Sequence, residues 1–151
     1  MLTGCDGGAT APASPGVPTS SADRDRPGQQ AIEVTREAAE RLLQGGNLRE
    51  AEIVAARLAE RSGDPGALEL HGRILAGLAA QADASGHHAE ARRLREQALD
   101  QYNRAVDHGP PGAGLLAAAG MIADACGQLE LAAARYAAAA ALEPTNPQYP
   151  L

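Results

Sequence analysis

Four residues recur at a single offset: Ala98, Tyr102, Ala105 and Pro110 reappear as Ala132, Tyr136, Ala139 and Pro144, each 34 residues later. Self-similarity at such a period restricts the chain to a repeated supersecondary unit, because each copy must bury its apolar face on the next. Three turns share a second pattern. Gly46 to Ala51, Gly86 to Ala91 and Gly127 to Ala132 each begin with Gly and carry Ala in the sixth position. From Gln30 onward the stretches between these marks are long and amphipathic, which reads as helices, and no alternating strand pattern occurs. Turn Gly and following Pro place helices near 31–44, 48–62, 66–84, 88–108, 113–126 and 129–142.

The building material for the core is small. The 151 residues include 35 Ala, three Tyr and no Phe or Trp, so packing depends on close approach of backbones rather than on aromatic bulk. Gly72 and Gly120 lie inside predicted helices, where each costs about 1 kcal/mol relative to Ala, a cost that fits a helix crossing closely at that point. Leu68 to Leu116 and Gly72 to Gly120 are 48 apart, whereas Gly86 to Gly127 is 41 apart. The middle unit therefore holds seven extra residues in each helix, about two turns or 10 Å.

These residues resemble the tetratricopeptide repeat, a 34-residue helix-turn-helix unit. The third unit matches through Leu116, Gly120, Gly127, Ala132, Tyr136, Ala139 and Pro144, with Ala119 and Ala123 in place of larger residues. The second matches through Leu68, Gly72, Leu75, Tyr102, Ala105 and Pro110, and the first through Leu42, Gly46, Leu48 and Ala51, with Ala55 where an aromatic belongs. The resemblance implies an all-α solenoid of three antiparallel hairpins over 31–147, the middle one elongated, with 148–151 the start of a further repeat or a free tail. It also implies a protein or peptide ligand on the concave surface formed by the first helix of each unit. The family's groove positions carry over to Glu33, Arg36, Glu40 and Leu43, then Glu69, Arg73 and Ala76, then Ala117, Met121 and Asp124. That groove is mixed and mildly acidic, unlike the basic clamps that hold a C-terminal carboxylate.

Residues 1–30 mix Pro with Gly, Ala, Ser and Thr and have no apolar periodicity, the composition of a disordered tether. At its start, Leu2-Thr3-Gly4-Cys5 resembles the lipobox of bacterial lipoproteins, which implies lipid attachment at Cys5 and a location on the periplasmic side of the envelope. The charged and apolar regions of a signal peptide are missing ahead of it. Export therefore expects a start further upstream, and without one the match is accidental and the chain is a cytoplasmic adaptor of the same fold.

Charge and motifs narrow the function classes. All 13 basic residues are Arg, against 19 acids, and a net charge of -6 opposes binding to a phosphate backbone. No phosphate-binding Gly loop, nucleophile elbow, HExxH or paired-carboxylate pattern occurs, so the expectation is a noncatalytic scaffold with no cofactor, no metal and no small-molecule substrate. His87 and His88, with Asp83 and Glu90, have ligand chemistry suited to a transition metal, but adjacent His in a turn read as an ordinary polar tip. Cys126 reads as a small buried hydrophobe, His71 as facing the partner helix, and His108 as favouring a helix end.

Overall fold

A computed structural model describes residues 35–145, and these are all-helical. Helix α1 covers 35–44; it is followed by α2 (Leu48–Ser62), α3 (Pro65–Ala84), α4 (His88–Asp107), α5 (Ala113–Ala125) and α6 (Leu129–Leu142). The sequence-based bounds differ by no more than one residue from the ends of α2 to α6. Cys5, Glu33 and the stretches 1–30 and 148–151 lie outside the described residues.

The three Gly turns are built with the same hydrogen bonds. After α1, Asn47 N–H donates to Leu42 O at 2.9 Å and Gly46 N–H to Leu43 O at 3.1 Å. After α3 the pairs are His87 to Ala82 at 2.8 Å and Gly86 to Asp83 at 2.9 Å; after α5 they are Gln128 to Ala123 and Gly127 to Asp124, both at 2.8 Å. This is the Schellman closure, which needs a left-handed residue at its fifth position. Gly46, Gly86 and Gly127 supply it with φ of 78°, 79° and 76°. The Ala in the sixth position of each turn then donates the first bond of the next helix, to Asn47, His87 or Gln128.

Helices α2 to α6 each pack most closely on their neighbours in sequence. Ala39 of α1 meets Ala51 and Ala55 of α2 and Leu70, Ile74 and Leu78 of α3. Leu68 and Leu75 of α3 share a cluster with Ala98, Tyr102 and Ala105 of α4 and with Leu115 and Ala119 of α5. Leu99 of α4, Ala123 of α5 and Ala132 of α6 continue it, and Leu116 with Ala139 closes it. Among the described residues no polar or charged residue is fully buried, and the buried set is mostly Ala and Leu.

Small residues set the distances. A β-carbon on Gly72 would lie 3.1 Å from Cε2 of Tyr102, and one on Gly120 would lie 3.0 Å from Cε1 of Tyr136. The Tyr rings thus occupy the space that the missing side chains leave, and α3 with α4 and α5 with α6 cross at these points. The lengths follow the predicted expansion: α3 and α4 have 20 residues each, whereas α5 has 13 and α6 has 14.

Candidate functional site

The expected groove residues reach the surface to different extents. In α1, Arg36 Nε donates to Glu40 Oε1 at 3.2 Å. The same guanidinium lies over the start of α3, where a β-carbon on Gly66 would come within 2.7 Å of Nη1. Leu43 is half-buried and packs on the Ala39 cluster, so part of its side chain serves the core. Ala76 and Ala117 likewise pack on core clusters. Glu69 is half-buried, and Arg73, Met121 and Asp124 are exposed, Met121 at 63%.

Two Tyr side chains tie these positions together. Tyr102 is pushed up to about 12, first by burial, then by the Glu69 carboxylate, with Arg73 partly offsetting both. Tyr136 is raised by burial and then by Asp124. Glu69 and Arg73 therefore share the neighbourhood of one Tyr hydroxyl, and Asp124 that of the other. Periodicity alone could not reveal this link, because it depends on which helix each ring crosses.

On another part of the surface, α2 and α4 leave a cleft of about 500 Å³ whose floor is His71 and Leu75 of α3. Glu52 forms one wall, and Arg93, Glu96 and Asp100 of α4 form the other. His71, at a position expected to face the partner helix, lines this cleft together with α4 residues, and its Nε2 lies 3.5 Å from Glu52 Oε1 of α2. That nitrogen is buried without a hydrogen-bond partner. The sequence signal for the α4 wall was the 3- and 4-residue spacing of Arg93, Glu96 and Asp100, but the α2 wall had none.

The tip of the long pair is held by ion pairs. The Asp83 carboxylate accepts from His88 Nδ1 at 3.0 Å and also pairs with Arg95. Arg49 of α2 reaches Glu90 of α4 at 3.4 Å. His87 is not drawn into the Asp83 pairings, and it lies just ahead of α4 without a side-chain capping bond. No group of three or more His, Cys, Asp or Glu converges among the described residues.

Cys126 caps the C-terminus of α5 and is a free thiol, half-buried rather than fully buried as expected. Burial raises its pKa, the Glu96 carboxylate adds to the effect and Arg95 partly offsets it, which leaves little thiolate at neutral pH. His108 follows α4, and its Nδ1 donates to the Arg104 carbonyl at 2.7 Å, as a residue at a helix end can. No helix of the described residues is long and apolar enough to cross a membrane. No family model, curated protein or solved structure matches the chain.

Proposed function

We propose that the chain is a three-hairpin solenoid of the tetratricopeptide kind that works as a noncatalytic scaffold in the bacterial envelope, held at a membrane through an acylated Cys5. Its ligand is a protein or peptide that lies along Glu69, Arg73, Met121 and Asp124. One observation carries this reading: the same helix contact is built twice, with Gly72 under Tyr102 and Gly120 under Tyr136. A repeated contact of this kind generates a regular array, and an array presents the first helix of each unit as a continuous strip. Arg36, Arg73, Met121 and Asp124 are exposed members of that strip, and they offer two cations, one flexible apolar group and one anion to a bound segment.

The experiment expresses the native gene with its upstream region and recovers the protein from membrane and soluble fractions after crosslinking. The reading expects a mature peptide that begins at an acylated Cys5 and a partner that Arg73→Glu captures poorly while folding normally. An unmodified Met1 peptide in the soluble fraction removes the anchor. Equal capture by wild type and Arg73→Glu removes the strip.

A further inference from the structure

The cleft of about 500 Å³ over α3 is separate from the strip of Arg73, Met121 and Asp124. His71 on its floor and Arg73 in the strip are two residues apart, about 200° around the same helix. The α4 wall is a single helix face, because Arg93, Glu96 and Asp100 follow at intervals of three and four. Glu52 of α2 stands opposite, and Leu75 makes part of the floor apolar. Three carboxylates against one guanidinium leave this lining net negative. Among the described residues the Glu96 carboxylate has no ion pair or hydrogen bond, and Asp100 accepts only from Gln101 Nε2 at 3.3 Å. Below them the His71 side chain is 12% exposed, and its Nε2 is buried with no hydrogen bond, 3.5 Å from Glu52 Oε1. Buried polar atoms are nearly always bonded, so this nitrogen lacks a partner that the chain itself does not supply.

We infer that the cleft receives an arginine side chain of a partner protein, its guanidinium held between Glu52 and the Glu96–Asp100 edge of α4 and its methylene stem laid on Leu75. The sign of the lining selects a cation. Its spread selects the kind of cation: among the described residues no three His, Cys, Asp or Glu converge on one point, as a metal ion requires. Acceptors on two helices suit a group whose donors point apart, and a guanidinium carries five N–H donors in a fixed fork. A lysine ammonium is a compact, strongly hydrated point charge and matches such an arrangement less well. Arginine is also among the side chains that most often anchor protein interfaces.

His71 gains a role in this complex. As the guanidinium draws Glu52 toward it, Nε2 of the neutral ring becomes free to accept one of the remaining N–H groups. Binding then removes a desolvation penalty that the free protein bears. Arg93 sets the direction, since it precedes Glu96 by about 4.5 Å and Asp100 by about 10 Å along the axis of α4. The cleft is therefore positive at one end and negative further along. The partner's guanidinium lies toward Asp100, and its backbone carbonyls, which are acceptors, lie toward Arg93.

Titration of the full chain with acetyl-Ala-Arg-Ala-amide, followed through backbone amide NMR shifts, tests the inference. Matched peptides carry Lys or citrulline in place of Arg; citrulline keeps the shape and loses the charge. The expected result is saturation with Kd on the order of 1 mM and shifts centred on 93–101 and His71. The Lys and citrulline peptides bind at least roughly fivefold more weakly, and so does the Arg peptide to a Glu96→Gln, Asp100→Asn variant whose thermal midpoint is unchanged. His71→Leu weakens binding while the protein becomes more stable, a pairing that a purely structural His71 would not produce. Arg73→Glu leaves binding unchanged, which separates this cleft from the strip. Absence of saturation by about 20 mM, shifts centred on Arg73 and Met121, or equal binding of the Lys peptide overturns the inference. Equal binding by the Glu96→Gln, Asp100→Asn variant overturns it as well.

Discussion

The ring of Tyr102 lies so close to Gly72 that a β-carbon there would meet three of its carbons at 3.1 to 3.2 Å. Tyr136 stands in the same relation to Gly120, but the two sites differ in freedom: Tyr102 is 2% exposed, whereas Tyr136 is half-buried. Gly→Ala in a helix gains about 1 kcal/mol of propensity, so the sign of each substitution depends on whether the ring can retreat. Gly72→Ala is expected to destabilise by about 1–2 kcal/mol, because the enclosed ring has nowhere to go. Gly120→Ala is expected to be close to neutral. Urea unfolding of both variants checks the ordering, and equal effects would contradict it.

Alkaline pH isolates Tyr102. The chain has no Lys, so between pH 9 and 12 its titrating side chains are three Tyr and two Cys. With Tyr102 at about 12 in the folded state and 10.0 as its ordinary value, the unfolded chain loses this proton first. Stability from the protonated phenol is fully present below about pH 10 and falls by about 1.4 kcal/mol per unit as pH rises toward 12. Absorbance of tyrosinate should show one late step that disappears in Tyr102→Phe. Simultaneous ionisation of all three Tyr would refute the burial effect.

His71 is the reverse case, a polar group whose buried nitrogen gains nothing. Its Nε2 is without a hydrogen bond, and Glu52 stands 3.5 Å away. Replacing such a group by an apolar one of similar size removes a desolvation penalty. His71→Leu is expected to raise stability by about 1 kcal/mol at neutral pH, read as a higher urea midpoint. A loss of stability would show that the contact with Glu52 outweighs the unmet hydrogen bond.

Helix starts differ in how they are capped. Asp64 Oδ2 accepts from Ala67 N–H at 3.1 Å, and Pro65 occupies the first position of α3. Asn47 precedes α2 without any side-chain capping bond. Asp64→Ala should therefore cost about 1 kcal/mol and Asn47→Ala distinctly less. Thermal denaturation of the two variants gives the comparison.

These contrasts show where residue order sufficed and where it did not. Helix ends were legible because Gly46, Gly86 and Gly127 meet a local conformational demand that few other residues satisfy. The longer α3 and α4 were legible because the 41- and 48-residue offsets divide the extra length between them. The cleft over His71 was not, since periodicity says which residues face inward but not which neighbouring helix they meet. Asn47 had a residue type suited to capping, yet its side chain forms no capping bond. Of the expected groove positions, Leu43, Ala76 and Ala117 pack on the core, whereas Arg73, Met121 and Asp124 are exposed, a difference that spacing alone does not give.

Because α2 to α6 each rest chiefly on the helices beside them in sequence, no distant part of the described residues has to be found before one of these helices can pack. Closing a short loop costs little entropy, and proteins dominated by such local contacts fold fast. A chain of this kind can be taken up or let go from one end: α3 and α4 can settle together before α5 has emerged, and an applied pull can strip α6 while the remaining helices stay joined. The long central pair, α3 on α4, shares the most extensive contact, so a pull from either end is expected to part it last.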